Sequence, residues 1–286
     1  MPYAMTPDGV RIAYQLQGGG APLVLLAGQA NSHRWWDGIR EDFHGARSTI
    51  TIDYRGTGDS DAPETPSSTE QFARDVTAVL DDLGIDRADV YGTSMGGRVA
   101  QCLAVHHPQR VRSLVLGCTS PGGPNSVERS DDVRRSLAGT DPAAVKQALL
   151  RLMYTPEWLA THPGPYRTLG DPTMSARARR QHLVASDRHD VWDELPGIEA
   201  PTLVLHGGAD LLNPTANAHL LANRIPGASM VIIPEARHAY FEEFRSTAAP
   251  LVLDFLSRDA SRGPSYTRSK GAGARPFQIR WEACSG

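Results

Sequence analysis

A serine flanked by glycines two positions away on either side, Gly92-Thr93-Ser94-Met95-Gly96, is the first pattern in this sequence with chemical content. A short apolar stretch, residues 88–91, runs into it, and a helix-forming stretch, residues 98–107, follows at once. A serine in such a strand-to-helix turn adopts a strained backbone that points its hydroxyl into the open. A Cβ at position 92 or 96 would clash with the turn. The helix beginning at Met95 aims free N–H groups and its positive dipole end at whatever binds above the serine. A serine hydroxyl is a poor nucleophile at neutral pH. It needs a base within hydrogen-bond reach, and the base needs an acid to hold it.

The chain offers 10 histidines and 32 acidic residues for these roles, so position must choose. In a parallel sheet, ligand-contacting groups follow the carboxyl ends of strands. Asp210 lies just past the apolar run 201–207, and His238 just past the run 229–234. Ser94, Asp210, His238 is also the chain order expected for this type of nucleophile turn. His206 precedes a Gly-Gly turn and suits a hydrogen bond to its own loop, while His106 and His107 end a helix and suit its dipole. Glu235 is too near His238 in sequence to reach it from a separate loop, and Asp193 and Glu194 follow no core strand. Asp53 and Asp59 belong to a glycine-rich turn, residues 53–60, whose Asp53 and Arg55 are expected to orient loops around the pocket. An oxyanion formed at the serine would need two donors. Met95 N–H, directly after the nucleophile, is one. Gln29 N–H, in the loop after the 22–27 run, is the other, with Gly28 letting the backbone approach.

The elements that must position these groups alternate. Residues 10–17 alternate apolar and polar, as in an antiparallel strand near a sheet edge, and 22–27 form a continuous apolar run, as in a strand covered on both faces. Residues 48–54 and 111–118 read as further strands. Residues 69–83 have helical periodicity and stop at Gly84. Trp35 and Trp36 fall on a short helical segment. This alternation predicts an α/β fold with a mostly parallel sheet wrapped by helices. The rhythm breaks at 119–124. Helical patterns then cover 127–137, 142–153, 156–160 and 175–186, and strand character resumes at 201–207. Residues 214–224 read as a helix, 229–234 as the last strand, and 240–256 as a closing helix interrupted at Pro250. The expected organisation is a core of 1–122 and 196–257, a helical cap of 123–195, and a flexible basic tail of 258–286. Met153, Tyr154, Trp158 and Tyr166 are candidates to line a pocket under the cap, or to pack its small core.

With 286 residues, the chain suits one sizeable domain with an inserted subdomain. A net charge of −3 suggests neither a nucleic-acid nor a membrane partner, and no apolar run reaches membrane-spanning length. No export signal is visible, and three widely spaced cysteines, Cys102, Cys118 and Cys284, fit a reduced cytoplasmic setting. No Cys/His cluster has metal-ligand spacing, so neither metal nor cofactor is expected. The implied partner is a small molecule, and a homodimer is compatible with the composition.

With nucleophile turn, acid and base in this order, residues 10–256 resemble the α/β-hydrolase fold family. The motifs carrying the resemblance are residues 92–97, 53–60 and 201–207, together with His238. It implies an eight-stranded sheet, a helical cap after the sixth strand, and hydrolysis without a cofactor. Within the family the chain is most similar to serine esterases and 3-oxoadipate enol-lactonases. It has Ala27-Gly28 where many members carry His-Gly. It lacks the His-Gly-Gly-Pro-Gly run of proline iminopeptidases and the glycine-rich loop with asparagine of meta-cleavage C–C hydrolases. Serine rather than aspartate at position 94 argues against haloalkane dehalogenases and epoxide hydrolases. The expectation is cleavage of an ester or lactone through an acyl-enzyme. The alternatives are C–C hydrolysis or perhydrolysis by the same residues, or a small-molecule receptor with little turnover.

Overall fold

Apolar runs buried on both faces build the centre of a single sheet, and the structure, a computed structural model, describes residues 1–260. The strands are β1 (Tyr3–Met5), β2 (Arg11–Gly18), β3 (Ala21–Leu26), β4 (Arg47–Ile52), β5 (Ala88–Thr93), β6 (Val111–Gly117), β7 (Thr202–Gly207) and β8 (Ser229–Ile233). They lie side by side in the order β1-β2-β4-β3-β5-β6-β7-β8. The pairs β1–β2 and β2–β4 are antiparallel, and every pair from β4–β3 onward is parallel. All residues of β5 and β7 are buried, as expected of strands covered on both sides. The register pairs Leu26 with Gly92, Thr93 with Gly117, Gly117 with Leu205, and Gly207 with Ile233. The carboxyl ends of β3, β5, β6, β7 and β8 are therefore level, and the loops that follow them open on one rim.

The helices are α1 (Thr69–Asp82), α2 (Met95–His106), α3 (Asp131–Leu137), α4 (Pro142–Met153), α5 (Pro156–Thr161), α6 (Ala176–Asp187), α7 (Ala216–Arg224), α8 (Tyr240–Glu243) and α9 (Arg245–Ala260). In α1 the periodic residues Phe72, Val76, Val79 and Leu80 are buried, and Ser68 caps the start by accepting the Gln71 N–H. Helices α1, α2, α7 and α9 pack against the sheet. The segment between β6 and β7 contributes α3 to α6 and no strand. Each of its helices starts at a side-chain cap, from Ser130, Asp141, Thr155 and Ser175 respectively.

Several boundaries differ from the periodicity. Strand β1 is three residues long, too short to show an alternation, and pairs with β2. Helix α3 starts at Asp131 rather than at 127. Ser130 caps it there, and Val127 is drawn away because its N–H donates to Asn217 Oδ1 and its carbonyl accepts from Asn217 Nδ2, both at 2.8 Å. The tryptophans fall on a single 3-10 turn, His33–Trp36. The closing helix breaks at Phe244, and Pro250 lies inside α9. An interior proline typically costs about 3 kcal/mol; burial of Ala248, Ala249, Val252 and Leu256 offsets it. Residues 258–260, the start of the expected tail, instead continue α9; the rest of it, 261–286 with Cys284, lies outside the described residues. Cys102 and Cys118 are buried free thiols. Among the described residues, no helix is long and apolar enough to cross a membrane.

An aromatic wedge ties the loop after β3 to the sheet. Trp35 stacks on Phe241 at 5.1 Å, and its Nε1 donates to Thr93 Oγ1 at 3.0 Å. Trp36 is fully buried against Tyr91 at 5.2 Å and Phe241 at 5.6 Å. Replacing Trp36 with alanine is expected to cost about 3–5 kcal/mol, read as a lowered urea midpoint. A midpoint equal to wild type would show that this wedge does not hold the rim.

Candidate active site

Ser94 has φ 56° and ψ −122°, a conformation that non-glycine residues rarely hold. The strain is fixed from both sides. Ser94 N–H donates to Gly117 O at 2.9 Å, and its carbonyl accepts from Gly97 N at 3.0 Å and Thr119 Oγ1 at 2.7 Å. Gly92 and Gly96 are needed because α2 starts so close to its neighbours. A Cβ on Gly92 would run into the Gly96 carbonyl, and one on Gly96 into the carbonyl of Leu26 in β3. The serine is partly exposed while Gly92, Thr93 and Met95 around it are buried.

Asp210 and His238 come from the two loops after β7 and β8, which hydrogen-bond to each other. Gly208 N–H donates to Ile233 O at 2.8 Å, and Ala209 N–H to Ala236 O at 2.9 Å. His238 Nδ1 lies 2.8 Å from Asp210 Oδ2. The other carboxylate oxygen, Oδ1, accepts the N–H groups of Leu212 and Asn213, each at 2.9 Å. Burial pushes this carboxyl upward. The charge of His238 and the hydrogen bonds from His206 and His238 outweigh it and hold Asp210 well below the usual carboxylate range. His206 Nε2 donates to Asn213 O at 2.8 Å and lies 3.3 Å from Asp210 Oδ2, so it braces the aspartate loop. With Nδ1 committed to Asp210, the His238 ring keeps Nε2 as its remaining nitrogen, and His238 lines the same cavity as Ser94.

The loop after β3 carries Gln29, which lines that cavity with Met95. Neither backbone N–H of these two donates to an acceptor among the described residues. The loop is clamped from three directions. Tyr54 Oη donates to Ala27 O at 3.2 Å, Asp171 N–H to Ala30 O at 2.7 Å, and Asn31 Nδ2 to Gln29 O at 2.8 Å. Asp53 Oδ1 accepts the His33 N–H at 2.7 Å, and Asp53 Oδ2 that of Asp59 at 3.0 Å. Arg55 is buried in a double ion pair with Asp75 and Asp8.

The cavity has a volume of about 520 Å³ and is roofed by residues of the segment between β6 and β7. Of the four candidate lining residues there, only Met153 reaches it. Tyr154 is fully buried, its hydroxyl bonded to Thr168 Oγ1 and to Glu242. Tyr166 lies against Tyr154 at 5.3 Å, and Trp158 stacks on His162 at 3.6 Å. These three aromatics pack the inserted helices together, because their rings find one another before they reach the cavity. The other acids are occupied elsewhere: Glu194 with His106 at 2.9 Å, and Asp193 with Arg224 at the surface. Polar residues around the cavity that motif spacing does not mark include Arg98, Ser120, Glu128, Arg129, Arg179 and Asn213. Only Arg98 leaves a trace in the sequence, one helical turn beyond Ser94. No cluster of His, Cys, Asp and Glu among the described residues is arranged to hold a metal ion.

A level rim of strand ends, a strained serine at the start of a helix and a histidine–aspartate pair over one cavity define a class of protein, and residues 21–244 match the alpha/beta hydrolase fold. The chain belongs to this family, which places its chemistry among the hydrolases. The RutD protein of Azorhizobium caulinodans, provisionally named a carbamate hydrolase, is similar at 30% identity over 250 residues, covering 84% of this chain and 92% of its own. The 2-hydroxymuconate semialdehyde hydrolase of Pseudomonas sp. strain CF600 is 29% identical over 277 residues, covering 87% and 91%. Among solved structures, the enol-lactonase of Burkholderia xenovorans LB400 superposes with a TM-score of 0.75 at 28% identity, covering 90% of this chain and all of its own.

His182 of α6 joins two loops of this rim. Its Nε2 donates to Arg55 O at 2.8 Å, which leaves Nδ1 to accept the Ala30 N–H at 3.3 Å. Burial holds its pKa down at about 4, against about 6.5 for an unfolded histidine. A histidine kept neutral by the fold contributes stability that is complete above about pH 6.5 and is lost as pH falls towards its folded pKa. His182→Gln can offer the same acceptor and donor without titrating. Urea unfolding of wild type is therefore expected to weaken more steeply between pH 6.5 and 4 than that of the variant, and parallel slopes would count against this role.

Proposed function

We propose that the protein is a serine hydrolase that cleaves a carboxylic ester or lactone through an acyl-enzyme on Ser94. The observation that carries this reading is the Asp210–His238 hydrogen bond in a cavity that also exposes the strained serine. His238, with Nδ1–H donated to Asp210, accepts the Ser94 proton at Nε2 as the hydroxyl attacks the substrate carbonyl. The N–H groups of Met95 and Gln29 stabilise the tetrahedral oxyanion, each typically worth about 3 kcal/mol. His238 then returns the proton to the departing alcohol or enol oxygen. Water enters, gives a proton to the same nitrogen and attacks the acyl-enzyme, and collapse releases the acid and free Ser94. Residues 123–195 act as the cap over this chemistry. The likeness to an enol-lactonase and the short Ala27-Gly28-Gln29 loop favour esters and lactones over other acyl compounds.

A fluorophosphonate probe is expected to label Ser94, with labelling and p-nitrophenyl ester turnover both lost in Ser94→Ala. Asp210→Asn is expected to lower kcat by about 10⁴-fold, as wrong-tautomer variants do. Undiminished turnover in Ser94→Ala would remove the acyl-enzyme. Cleavage of a vinylogous diketone by wild type, with no ester or lactone turned over, would replace this reading with C–C hydrolysis.

A further inference from the structure

The loop after β3 owes its course to the inserted segment as well as to the sheet. Ala30 in this loop has φ 57°, in the left-handed region that an alanine leaves unless it is held there. Its N–H donates to His182 Nδ1 at 3.3 Å, and its carbonyl accepts the Asp171 N–H at 2.7 Å. A third tie runs through Asn31, whose Oδ1 accepts the Gly170 N–H at 2.9 Å while its Nδ2 donates to Gln29 O at 2.8 Å. The peptide unit joining Gln29 to Ala30 is therefore gripped at both polar atoms, the carbonyl by Asn31 and the N–H by His182. Peptide units are rigid planes, so turning this one would break both bonds. The aim of the Gln29 N–H, one residue back, is fixed with it.

The grips are themselves anchored. Asp171 is buried; its Oδ1 accepts the N–H and the hydroxyl of Thr173, at 2.9 and 2.7 Å, and its Oδ2 accepts the Gly58 N–H at 2.6 Å. Burial pushes this carboxyl upward, and the hydrogen bonds from Thr173 and Gly58 outweigh it and hold it below the usual carboxylate range. His182 Nε2 donates to Arg55 O, in the same turn as Gly58. The ties on the sheet side stop short of the gripped peptide: Tyr54 Oη reaches Ala27 O, and the Asn31 N–H reaches Gly28 O at 3.3 Å.

We infer that Asn31, Asp171 and His182 are positioning residues for the oxyanion. They aim the Gln29 N–H at the reacting carbonyl only while residues 170–182 are docked on the rim, so the inserted segment completes the catalytic site as well as covering it. A molecule that props this segment off the rim is bound without being cleaved. This role rests on the acyl-transfer reading of Ser94 with the Gln29 N–H as a donor, and the test separates the two.

The test compares hexyl trifluoromethyl ketone with hexyl methyl ketone as inhibitors. With the first, Ser94 Oγ bonds to the carbonyl carbon, its proton passes to His238 Nε2, and the carbonyl oxygen becomes an oxyanion that needs both donors. The second binds without addition. Wild type is expected to bind the fluorinated ketone at least a hundredfold more tightly. In Asn31→Ala and Asp171→Ala that preference is expected to fall at least tenfold, while the inhibition constant of the methyl ketone stays within threefold. For p-nitrophenyl butyrate, kcat is expected to fall at least tenfold with KM within threefold. His182→Gln, which can make both bonds of the imidazole, is expected to keep more of the preference than His182→Leu. A merely structural role would weaken both ketones together. Equal weakening of the two, or the full wild-type preference in variants that still unfold cooperatively in urea, overturns the inference and leaves the acyl-enzyme intact. A wild type that distinguishes neither ketone and is not labelled by fluorophosphonate removes the acyl-transfer reading, and this role with it.

Discussion

The architecture turns on a close approach of backbones at the start of α2. Helix α2 begins so near the ends of β3 and β5 that positions 92 and 96 have no room for a side chain, and Ser94 between them is forced to a positive φ. Such a conformation costs on the order of 1–3 kcal/mol and persists only where its surroundings over-determine it. Here they do: β5 lies between β3 and β6 in the sheet, and Gly117 at the end of β6 accepts the serine's own N–H. The level strand ends then bring the loops after β3, β7 and β8 to the same rim. Everything else at the site is a matter of aiming those loops.

The aiming is shared between the sheet and the inserted segment. Asp53 and Tyr54 hold the loop after β3 from the sheet side, while Asp171 and His182 hold Ala30 from the helices above. Asp210 is fixed by two backbone donors on one oxygen and faces two imidazoles with the other. A buried carboxylate with this many partners stays ionised, which keeps the His238 ring in one tautomer. The cavity is thus lined by groups whose positions are set before any ligand arrives.

Much of this was legible from residue order. Alternating strand and helix patterns imply a parallel sheet, and the rule that functional groups follow strand ends selects Asp210 and His238, whose side chains are hydrogen-bonded. What stayed hidden depends on paths rather than periods. Strand β1 is too short to show a pattern, and α3 starts where Asn217, ninety residues away, stops claiming the backbone of Val127. Tyr154, Trp158 and Tyr166 look like pocket walls in a list of aromatics, but in three dimensions they satisfy one another. Arg98 sits one turn after Ser94 in the sequence, but its aim depends on Ser120 and Ser186, distant in the chain, which hold its guanidinium at the cavity.

One pair of contacts bears on how a molecule gets in. His238 N–H donates to Leu152 O at 3.3 Å and Ala239 N–H to Met153 O at 2.9 Å, so the end of α4 is stitched to the imidazole's own loop. Movement of α4 is therefore coupled to the loop that holds His238 against Asp210, so that side of the roof is tied to the site. Val127 and Leu183, 42% and 56% exposed and both on the cavity wall, give the cavity an apolar lip at the solvent edge, contributed by the chain before α3 and by helix α6.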